Sequence, residues 1–281
     1  MSLFKRIKNS FLFRIKKMVI VFQGLQSSEK ERRDISRFLL HIKGLVMYPY
    51  EYTKKYDLKE INVMWDSDGY PFVIHSEKKL YLKKWWSKEK CQKYYNNLKI
   101  EQDNECAHKY LINSMRYPDK DDVVADLGAA EGIFCLDIID KVKQIYLFEC
   151  DEDWNEPLRK TFLPWKEKVI IVNKYLSNSN HDKYITLDNY FSENKVTYIK
   201  ADIEGDEVRM LEGAESLLNS TIKKALICTY HKFDDEIKIK EIMKNHGFKV
   251  EINTGYLFMS NVDNIFQNQY LRHGVLFAYK E

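Results

Sequence analysis

The sequence lacks the features of secreted, disulfide-bonded and membrane-spanning proteins. Its five cysteines are odd in number and form no C-x-x-C pair, which argues against a disulfide framework and a zinc knuckle. The longest apolar run near the start, Met18 to Phe22, is far below the roughly 18–20 residues of a membrane span. The N-terminus also has no clean apolar segment followed by a small-residue cleavage site. We therefore expect a cytoplasmic protein.

The net charge of +3 conceals an asymmetry between the two parts of the chain. Residues 1–100 contain 22 Lys and Arg against 10 Asp and Glu, so the rest of the chain is acidic overall. No internal repeat or low-complexity linker separates the two parts. The charges predict a basic N-terminal α+β appendage over residues 1–115 and an acidic domain over residues 116–281. A basic module suits a phosphate-bearing or membrane-bound partner, whereas an acidic one suits a cationic cofactor.

The first residues predict a basic amphipathic helix over residues 3–22. Apolar residues recur at steps of three or four with bases between them: Phe4, Ile7, Phe11, Ile15, Met18 and Phe22. One interpretation is docking on an anionic membrane surface, at the inner face of the membrane. The alternative is that the helix packs on its own domain or on a second subunit of a homo-oligomer.

The rest of the appendage predicts hairpins followed by a helix. Strand-like runs between residues 61 and 82 surround a turn at residues 66–69, and residues 94–115 read as a helix. Between them, bases and aromatics alternate at Lys83, Lys84, Trp85 and Trp86, as they do where proteins stack on sugars or nucleobases. These four residues are candidate substrate contacts. The alternative is that the two tryptophans are a core plug and a lid.

From Asp122 onward, strands and helices alternate, which is typical of a doubly wound α/β sheet. The predicted strands cover residues 122–127, 144–149, 168–172, 196–201, 225–230, 248–252 and 274–280. We expect the last of them to return antiparallel at the end of the sheet.

The turn after the first of these strands is the first candidate binding site. Residues 122–134 read DVVADLGAAEGIF, in which Asp126, Gly128 and Gly132 form a D-x-G-x-x-x-G pattern and Ala129 leaves the backbone accessible. A dinucleotide site would need G-x-G-x-x-G for its pyrophosphate, and the Asp126 carboxylate would repel an anion. The pattern instead suits a cationic, phosphate-free nucleoside such as S-adenosylmethionine (SAM). Here the sequence resembles the class I methyltransferases. A plain strand-turn-helix corner is the alternative.

Two acidic residues lie at the end of the second predicted strand. Glu149 lies where a carboxylate would reach the two ribose hydroxyls of a bound nucleoside. Asp151 is either a second cofactor contact or a helix cap.

The string YIKADIEGDE, at residues 198–207, resembles the FkbM family of methyltransferases. The family pattern is matched by Ile199, Lys200, Asp202, Glu204, Gly205 and Glu207, and then by Leu211, Gly213 and Ala214. The likeness extends from Asp122 to about Phe248 and includes Phe148, Glu149, Thr186, Leu187, Asp188, Tyr230 and His231. Cys150 replaces the usual proline, and Ala130-Glu131 replaces the usual Asn-x. Residues 1–115 match no part of the family core.

The candidate catalytic residues are Asp202, Glu204 and His231, which end two strands at the edge where open α/β sheets bind ligands. Buried carboxylates need a compensating cation or proton, and His231 has a pKa suited to accept a hydroxyl proton. Tyr230 is a further candidate substrate contact. We expect no metal; the alternative is a divalent ion held by Asp202, Glu204 and His231.

The resemblance implies SAM-dependent O-methylation of a small-molecule or glycan hydroxyl, as in surface glycan biosynthesis. The basic appendage predicts an anionic saccharide as acceptor, and the sequence contains no recognisable nucleic-acid module. Three alternatives stay open: an RNA methyltransferase, a protein methyltransferase and a catalytically silent, membrane-docked scaffold.

Overall fold

The computed structural model describes residues 3–259 and 270–281, with side chains described from residue 14 onward in those ranges. The helices are α1 (Leu3–Leu25), α2 (Lys30–His41), α3 (Lys88–Glu101), α4 (Ile133–Ile138), α5 (Asn155–Phe162), α6 (Leu187–Tyr190), α7 (Glu207–Glu212), α8 (Glu215–Ser220) and α9 (Asp235–Asn245). The strands are β1 (Met64–Trp65), β2 (Pro71–His75), β3 (Lys78–Tyr81), β4 (Val123–Leu127), β5 (Gln144–Phe148), β6 (Val169–Val172), β7 (Tyr175–Leu176), β8 (Tyr184–Ile185), β9 (Tyr198–Ala201), β10 (Lys224–Cys228), β11 (Lys249–Ile252), β12 (Leu257–Phe258), β13 (Leu271–Arg272) and β14 (Val275–Tyr279). Short 3-10 helices cover Glu51–Lys55, Leu58–Glu60, Ser114–Arg116, Ile139–Lys141, Glu152–Trp154 and Leu163–Trp165.

Seven strands form one mixed sheet in the order β11-β14-β10-β9-β4-β5-β6. Successive residues of the central strands face opposite sides, so Val124 belongs to one hydrophobic cluster and Ala125 to the other. Burial on both faces explains the continuous apolar runs of these strands. The seven strands lie where the sequence predicts them, and the doubly wound, Rossmann-like sheet of the class I methyltransferase fold is confirmed.

The last strand is antiparallel, as expected, but it does not lie at the end of the sheet. Strand β14 pairs antiparallel with β10 on one side and with β11 on the other. All four residues Val275, Leu276, Phe277 and Ala278 are fully buried. An apolar run of this kind is stable only where both strand edges and both faces are covered, which explains the interior position.

The appendage contains the predicted hairpins, β1 to β3, with the turn at residues 66–69 between the first two strands. Its helix is shorter than predicted and displaced: α3 begins after the Ser87 cap and ends at Glu101 instead of continuing to residue 115. The Asp103 carboxylate accepts hydrogen bonds from the Glu105 amide and the Tyr56 hydroxyl. Those bonds satisfy a turn in place of further helix.

The predicted boundary between residues 115 and 116 does not divide the hydrophobic core. One cluster contains Val73, Leu80 and Tyr95 from the appendage together with Ile145 and Phe277 from the seven-stranded sheet. The contact is also polar, because the amide of Tyr81 donates to Thr161 Oγ1 at 3.0 Å. The appendage hairpin therefore packs on α4 and α5 and shares a hydrophobic cluster with the sheet.

Helix α1 covers the predicted segment, but a different side of it makes the packing contacts. Ile20 and Val21 are buried in a cluster with Ile35 and Leu39 of α2. The predicted apolar positions Ile15, Met18 and Phe22 are exposed, while the side chains of Phe4, Ile7 and Phe11 lie outside the described residues. No helix in residues 3–259 or 270–281 is long and apolar enough to cross a bilayer.

The shared core predicts that a cavity in the appendage destabilises the whole chain. Leu80→Ala should lower the free energy of unfolding by about 2–5 kcal/mol, because Leu80 is fully buried in the cluster that the appendage and the sheet share. Ile74→Ala, on the neighbouring strand but 48% exposed, is the control and should have a much smaller effect. Urea unfolding measures both. A separate early transition confined to the appendage in Leu80→Ala would contradict the shared core.

Candidate functional site

A cavity of about 1370 Å³ opens at the carboxyl ends of β4, β5, β9 and β10. This volume exceeds the range of roughly 300–1,000 Å³ that one small ligand usually occupies, so the cavity has room for two molecules. The lining residues from the strand ends are Asp126, Gly128, Ala129, Glu149, Asp151, Asp202, Glu204, Tyr230 and His231. The appendage contributes Tyr48, Tyr94, Glu101 and Tyr110. The predicted cofactor and catalytic residues, apart from Gly132, therefore share one cavity.

The glycine-rich turn is fixed by close backbone packing. Gly128 has φ +78°, and a Cβ atom there would lie 1.9 Å from the carbonyl oxygen of Asp202. Gly132 has φ +84°, and a Cβ atom there would lie 2.7 Å from the Phe162 ring of α5. Both glycines are thus required by neighbouring elements. Gly132 does not line the cavity but lets α4 begin against α5.

Asp126 is completely buried and is paired with Lys200 on the adjacent strand. Lys200 Nζ lies 2.9 Å from Asp126 Oδ1 and donates to the Gly128 carbonyl oxygen at 2.9 Å. Burial acts to lower the pKa of Lys200, but the Asp126 and Asp202 carboxylates outweigh it and raise that pKa. The sequence pattern suggested that the Asp126 carboxylate would repel an anion. Because Lys200 neutralises this carboxylate, Asp126 does not by itself have that effect.

Glu149 holds the turn from the neighbouring strand. Its Oε2 accepts from the Ala130 amide at 2.8 Å, and its Oε1 accepts from the Asp151 amide at 2.7 Å. Burial raises the pKa of Glu149, and these backbone hydrogen bonds partly offset that effect. A carboxylate has about four acceptor positions, so two remain for a ligand diol. Asp151 caps a short helix by accepting from the Asp153 amide.

Glu131, within the turn, is a site residue that the sequence did not identify. It is buried, lines the cavity and accepts a hydrogen bond from the Tyr94 hydroxyl. Burial raises its pKa to about 7. This carboxyl group therefore titrates near neutral pH inside the cavity.

Asp202 is the centre of the catalytic cluster. Tyr110 donates to its Oδ2 at 2.9 Å, and Tyr230 donates to its Oδ1 at 3.1 Å. His108 Nε2 and His231 Nε2 lie 3.5 and 3.4 Å from the same two oxygens. Burial acts to raise the pKa of Asp202, but the hydrogen bond from His108 and the nearby positive charges hold it well below its usual range.

His231 lies between two carboxylates. Its Nδ1 is 2.9 Å from Oε1 of Glu207, which is fully buried and also accepts from the Ile203 amide. Burial acts to lower the pKa of His231, but the Glu207 hydrogen bond and charge, with Asp202 and Glu204, raise it overall. Glu207 is the first residue of α7, a position where an acidic side chain is often solvated, but here it is buried against His231.

A second histidine, His108, has the same arrangement. Its Nδ1 is 3.3 Å from Glu101 Oε1, and its Nε2 faces Asp202. Burial acts to lower its pKa, but the Glu101 charge and the Asp202 hydrogen bond raise it overall. Alternating carboxylates and imidazoles thus run from Glu101 through Asp202 to Glu207. Neither His108 nor Glu101 has a sequence signal, because both reach the site only through the folding of the appendage.

Two groups of described residues bring possible metal ligands within 4.8 Å of one another: His108, Asp202 and Cys228, and Asp202, Glu207 and His231. The sequence named Glu204 as the third ligand. Its carboxylate is 3.8 Å from His231 Nε2, but its side chain is 94% exposed. A divalent ion at this position would therefore bind through Glu207 before Glu204, and such an ion stays the untested alternative to the expectation of no metal.

The candidate substrate contacts at residues 83–86 do not line this cavity. Trp86 is buried against Tyr94 and Trp154, with ring centroids 4.8 and 5.4 Å apart, so it packs as a core plug. Trp85 is 61% exposed, and Lys84 lies over the Tyr70 ring. Lys83 forms an ion pair with Asp151, which lines the cavity. The aromatic and basic pattern therefore reflects packing and ion pairs.

No protein-family model and no curated protein matches the chain. Among solved structures, it is similar to a methyltransferase FkbM from Methylobacillus flagellatus KT, with 14% identity and a TM-score of 0.49 over 68% of this chain and 54% of that one. It is also similar to an rRNA methylase from Streptococcus thermophilus, with 15% identity and a TM-score of 0.39 over 58% of this chain and 88% of that one. A third similar structure is a Streptococcus mutans protein in complex with S-adenosylhomocysteine (SAH), with 13% identity and a TM-score of 0.40 over 59% of this chain and 92% of that one. The chain spans about half the length of the first of these. The similarities are distant, and the chemistry rests on the residues of the site.

The pairing of His231 with Glu207 predicts a measurable pKa change. Glu207→Gln should lower the pKa of His231, because it removes the buried negative charge beside Nδ1. Glu204→Gln is the matched control, since its exposed carboxylate is screened by water and should contribute less. Titration of the histidine ring protons by NMR measures both variants. Equal changes in the two variants would contradict the buried pairing.

Proposed function

We propose that this protein is a SAM-dependent methyltransferase of the class I fold, related to the FkbM type. The observation that carries the proposal is the Gly128–Gly132 turn at the carboxyl end of β4. This turn lies at the edge of a large cavity, and Glu149 fixes its conformation. Gly128, Ala129 and Ala130 leave the backbone of the turn accessible, and Glu149 keeps free acceptor positions for a ribose diol. SAM supplies an electrophilic methyl group when it is bound there.

The charge of the cavity supports a positively charged cofactor. The described residues of its lining include eight carboxyl groups, those of Glu101, Asp126, Glu131, Glu149, Asp151, Asp202, Glu204 and Asp206, and three lysines, Lys54, Lys174 and Lys200. Of these lysines, Lys200 is already paired with Asp126. A sulfonium and an ammonium group gain favourable interactions in such a field, whereas a pyrophosphate is repelled.

Proton removal from the acceptor is better suited to His231 than to Asp202, which the sequence left open. The pKa of Asp202 is held low, so its carboxylate is a weak base. The pKa of His231 is raised, and Glu207 orients the ring so that Nε2 lies on the Asp202 side, where both residues line the cavity. Glu207 is therefore a positioning residue. Methyl transfer should decline as the pH falls through the pKa of His231, because the protonated ring cannot accept a proton.

The acceptor that we propose is a hydroxyl of a neutral saccharide or another uncharged small molecule. The expectation of an anionic saccharide depended on the bases of residues 78–90, and Lys83 and Lys84 do not line the cavity. The carboxyl groups of the lining disfavour sugar phosphates and RNA for the same electrostatic reason. The alternatives are an RNA substrate, a protein substrate and a catalytically silent scaffold. The two experiments that follow distinguish the proposal from them.

Binding of S-adenosylhomocysteine tests the cofactor assignment. Glu149→Gln should weaken binding about tenfold or more, because it removes the charge from the proposed hydrogen bonds to the diol. Asp153→Asn, an exposed acid on the same loop, is the matched control and should bind like the wild type. Isothermal titration measures all three proteins. Failure of the wild type to bind would favour the silent scaffold, and equal affinities in all three proteins would refute the role of Glu149.

Methyl transfer from labelled SAM tests the acceptor class. We expect turnover with neutral oligosaccharides to exceed turnover with nucleotide sugars, sugar phosphates, RNA and a protein extract. His231→Gln should reduce kcat by about a hundredfold or more, the usual contribution of a general base, and leave the affinity for S-adenosylhomocysteine unchanged. Turnover confined to RNA or to anionic sugars would contradict the charge argument while preserving the methyltransferase assignment.

A further inference from the structure

Helix α1 leaves an apolar stripe uncovered. Met18 and Phe22 are 71% and 62% exposed, whereas Ile20 and Val21 are buried. Together with Ile15 and Leu25, which are also exposed, they are spaced three or four residues apart and therefore lie on one side of the helix. Of the residues that give α1 its amphipathic pattern, the three whose side chains are described, Ile15, Met18 and Phe22, are thus not the ones that pack on the protein.

The packed side of α1 lies close against α2. A Cβ atom at Gly24 would lie 1.9 Å from Ser36 Oγ and 3.2 Å from the Arg32 carbonyl oxygen, so the two helices of the α1–α2 hairpin approach closely there. Ile20 also belongs to the cluster with Ile35 and Leu39. Rotating α1 to cover Met18 and Phe22 would expose Ile20 and separate the helices. Among the residues whose side chains the structure describes, none covers the stripe.

The charge of α1 indicates which partner covers the stripe. The helix contains the bases Lys5, Arg6, Lys8, Arg14, Lys16 and Lys17 and no acidic residue. We propose that α1 docks on an anionic lipid surface, with Ile15, Met18, Phe22 and Leu25 in the boundary between headgroups and acyl chains. A symmetric contact with a second copy through the same stripe would instead bring two sets of these bases together, which electrostatic repulsion opposes.

The docked helix is close to the cavity. Lys17 Nζ donates to the carbonyl oxygen of Ile42, and both Ile42 and Phe38, at the end of α2, line the cavity wall. Since a helix is about 10 Å across, docking holds this wall roughly one helix diameter from the lipid. The arrangement positions the cavity for an acceptor that is itself attached to the membrane.

Vesicle co-sedimentation of the full chain tests the proposal. The test variant is Met18→Gln/Phe22→Gln. The matched control is Leu163→Gln/Ile237→Gln, which replaces two side chains of similar exposure, 64% and 68%, away from α1. We expect wild type and control to bind vesicles of phosphatidylcholine with phosphatidylglycerol, to bind pure phosphatidylcholine weakly, and to lose binding at high salt. The test variant should bind about tenfold or more weakly.

Circular dichroism and the melting temperature establish that both variants are folded. Equal binding of the wild type and the test variant to anionic vesicles would overturn the proposal. So would wild-type binding that does not distinguish the two lipid compositions. Sedimentation equilibrium without lipid tests whether a second copy of the chain covers the stripe. Wild-type self-association that disappears in the test variant, together with no vesicle binding, would assign the stripe to a second copy.

Discussion

The ion pair between Lys200 and Asp126 is the interaction on which the carboxyl edge of the sheet depends. The two residues are directly opposite in the parallel pairing of β9 with β4, and both are almost completely buried. The same ammonium group donates to the carbonyl oxygen of Gly128, so one cation neutralises a carboxylate and fixes the turn. It also offsets the charge of Asp202, which directly follows the same strand. Without Lys200, the charges of Asp126 and Asp202 would lose this shared cation, and the Gly128 carbonyl oxygen would lose its hydrogen-bond donor.

Features with a local cause could be predicted from the sequence. The apolar runs and the alternation of strands and helices located all seven strands, because burial on both faces requires such runs. The glycine-rich turn and the acids at the strand ends also placed Asp126, Glu149 and Asp202 correctly, since parallel strands bring their carboxyl ends to one edge. The interior position of β14 was not predicted, because the order of strands depends on packing between distant segments.

The surroundings of these residues could not be predicted. His108 and Glu101 lie in the appendage and reach Asp202 only because α3 and the loop after it cover the cavity. Glu207 follows a turn and looks like an ordinary acidic helix start, yet its carboxylate is turned inward against His231. The basic and aromatic residues of the appendage were predicted to contact the substrate, but Trp86 packs in the core instead. Composition gave the sign of the charge on each part of the chain, but only the fold determines which charges face the cavity.

The central claim is that the crevice between the glycine-rich turn and Glu149 binds the SAM nucleoside and points its sulfur toward Asp202 and His231. A crystal structure of the protein with S-adenosylhomocysteine tests this claim most directly. The account predicts the ribose hydroxyls within hydrogen-bond distance of the Glu149 carboxylate, with the sulfur nearer to Asp202 than to Glu149. A ligand bound outside this crevice, or in the reverse orientation with its sulfur next to Glu149, would contradict it.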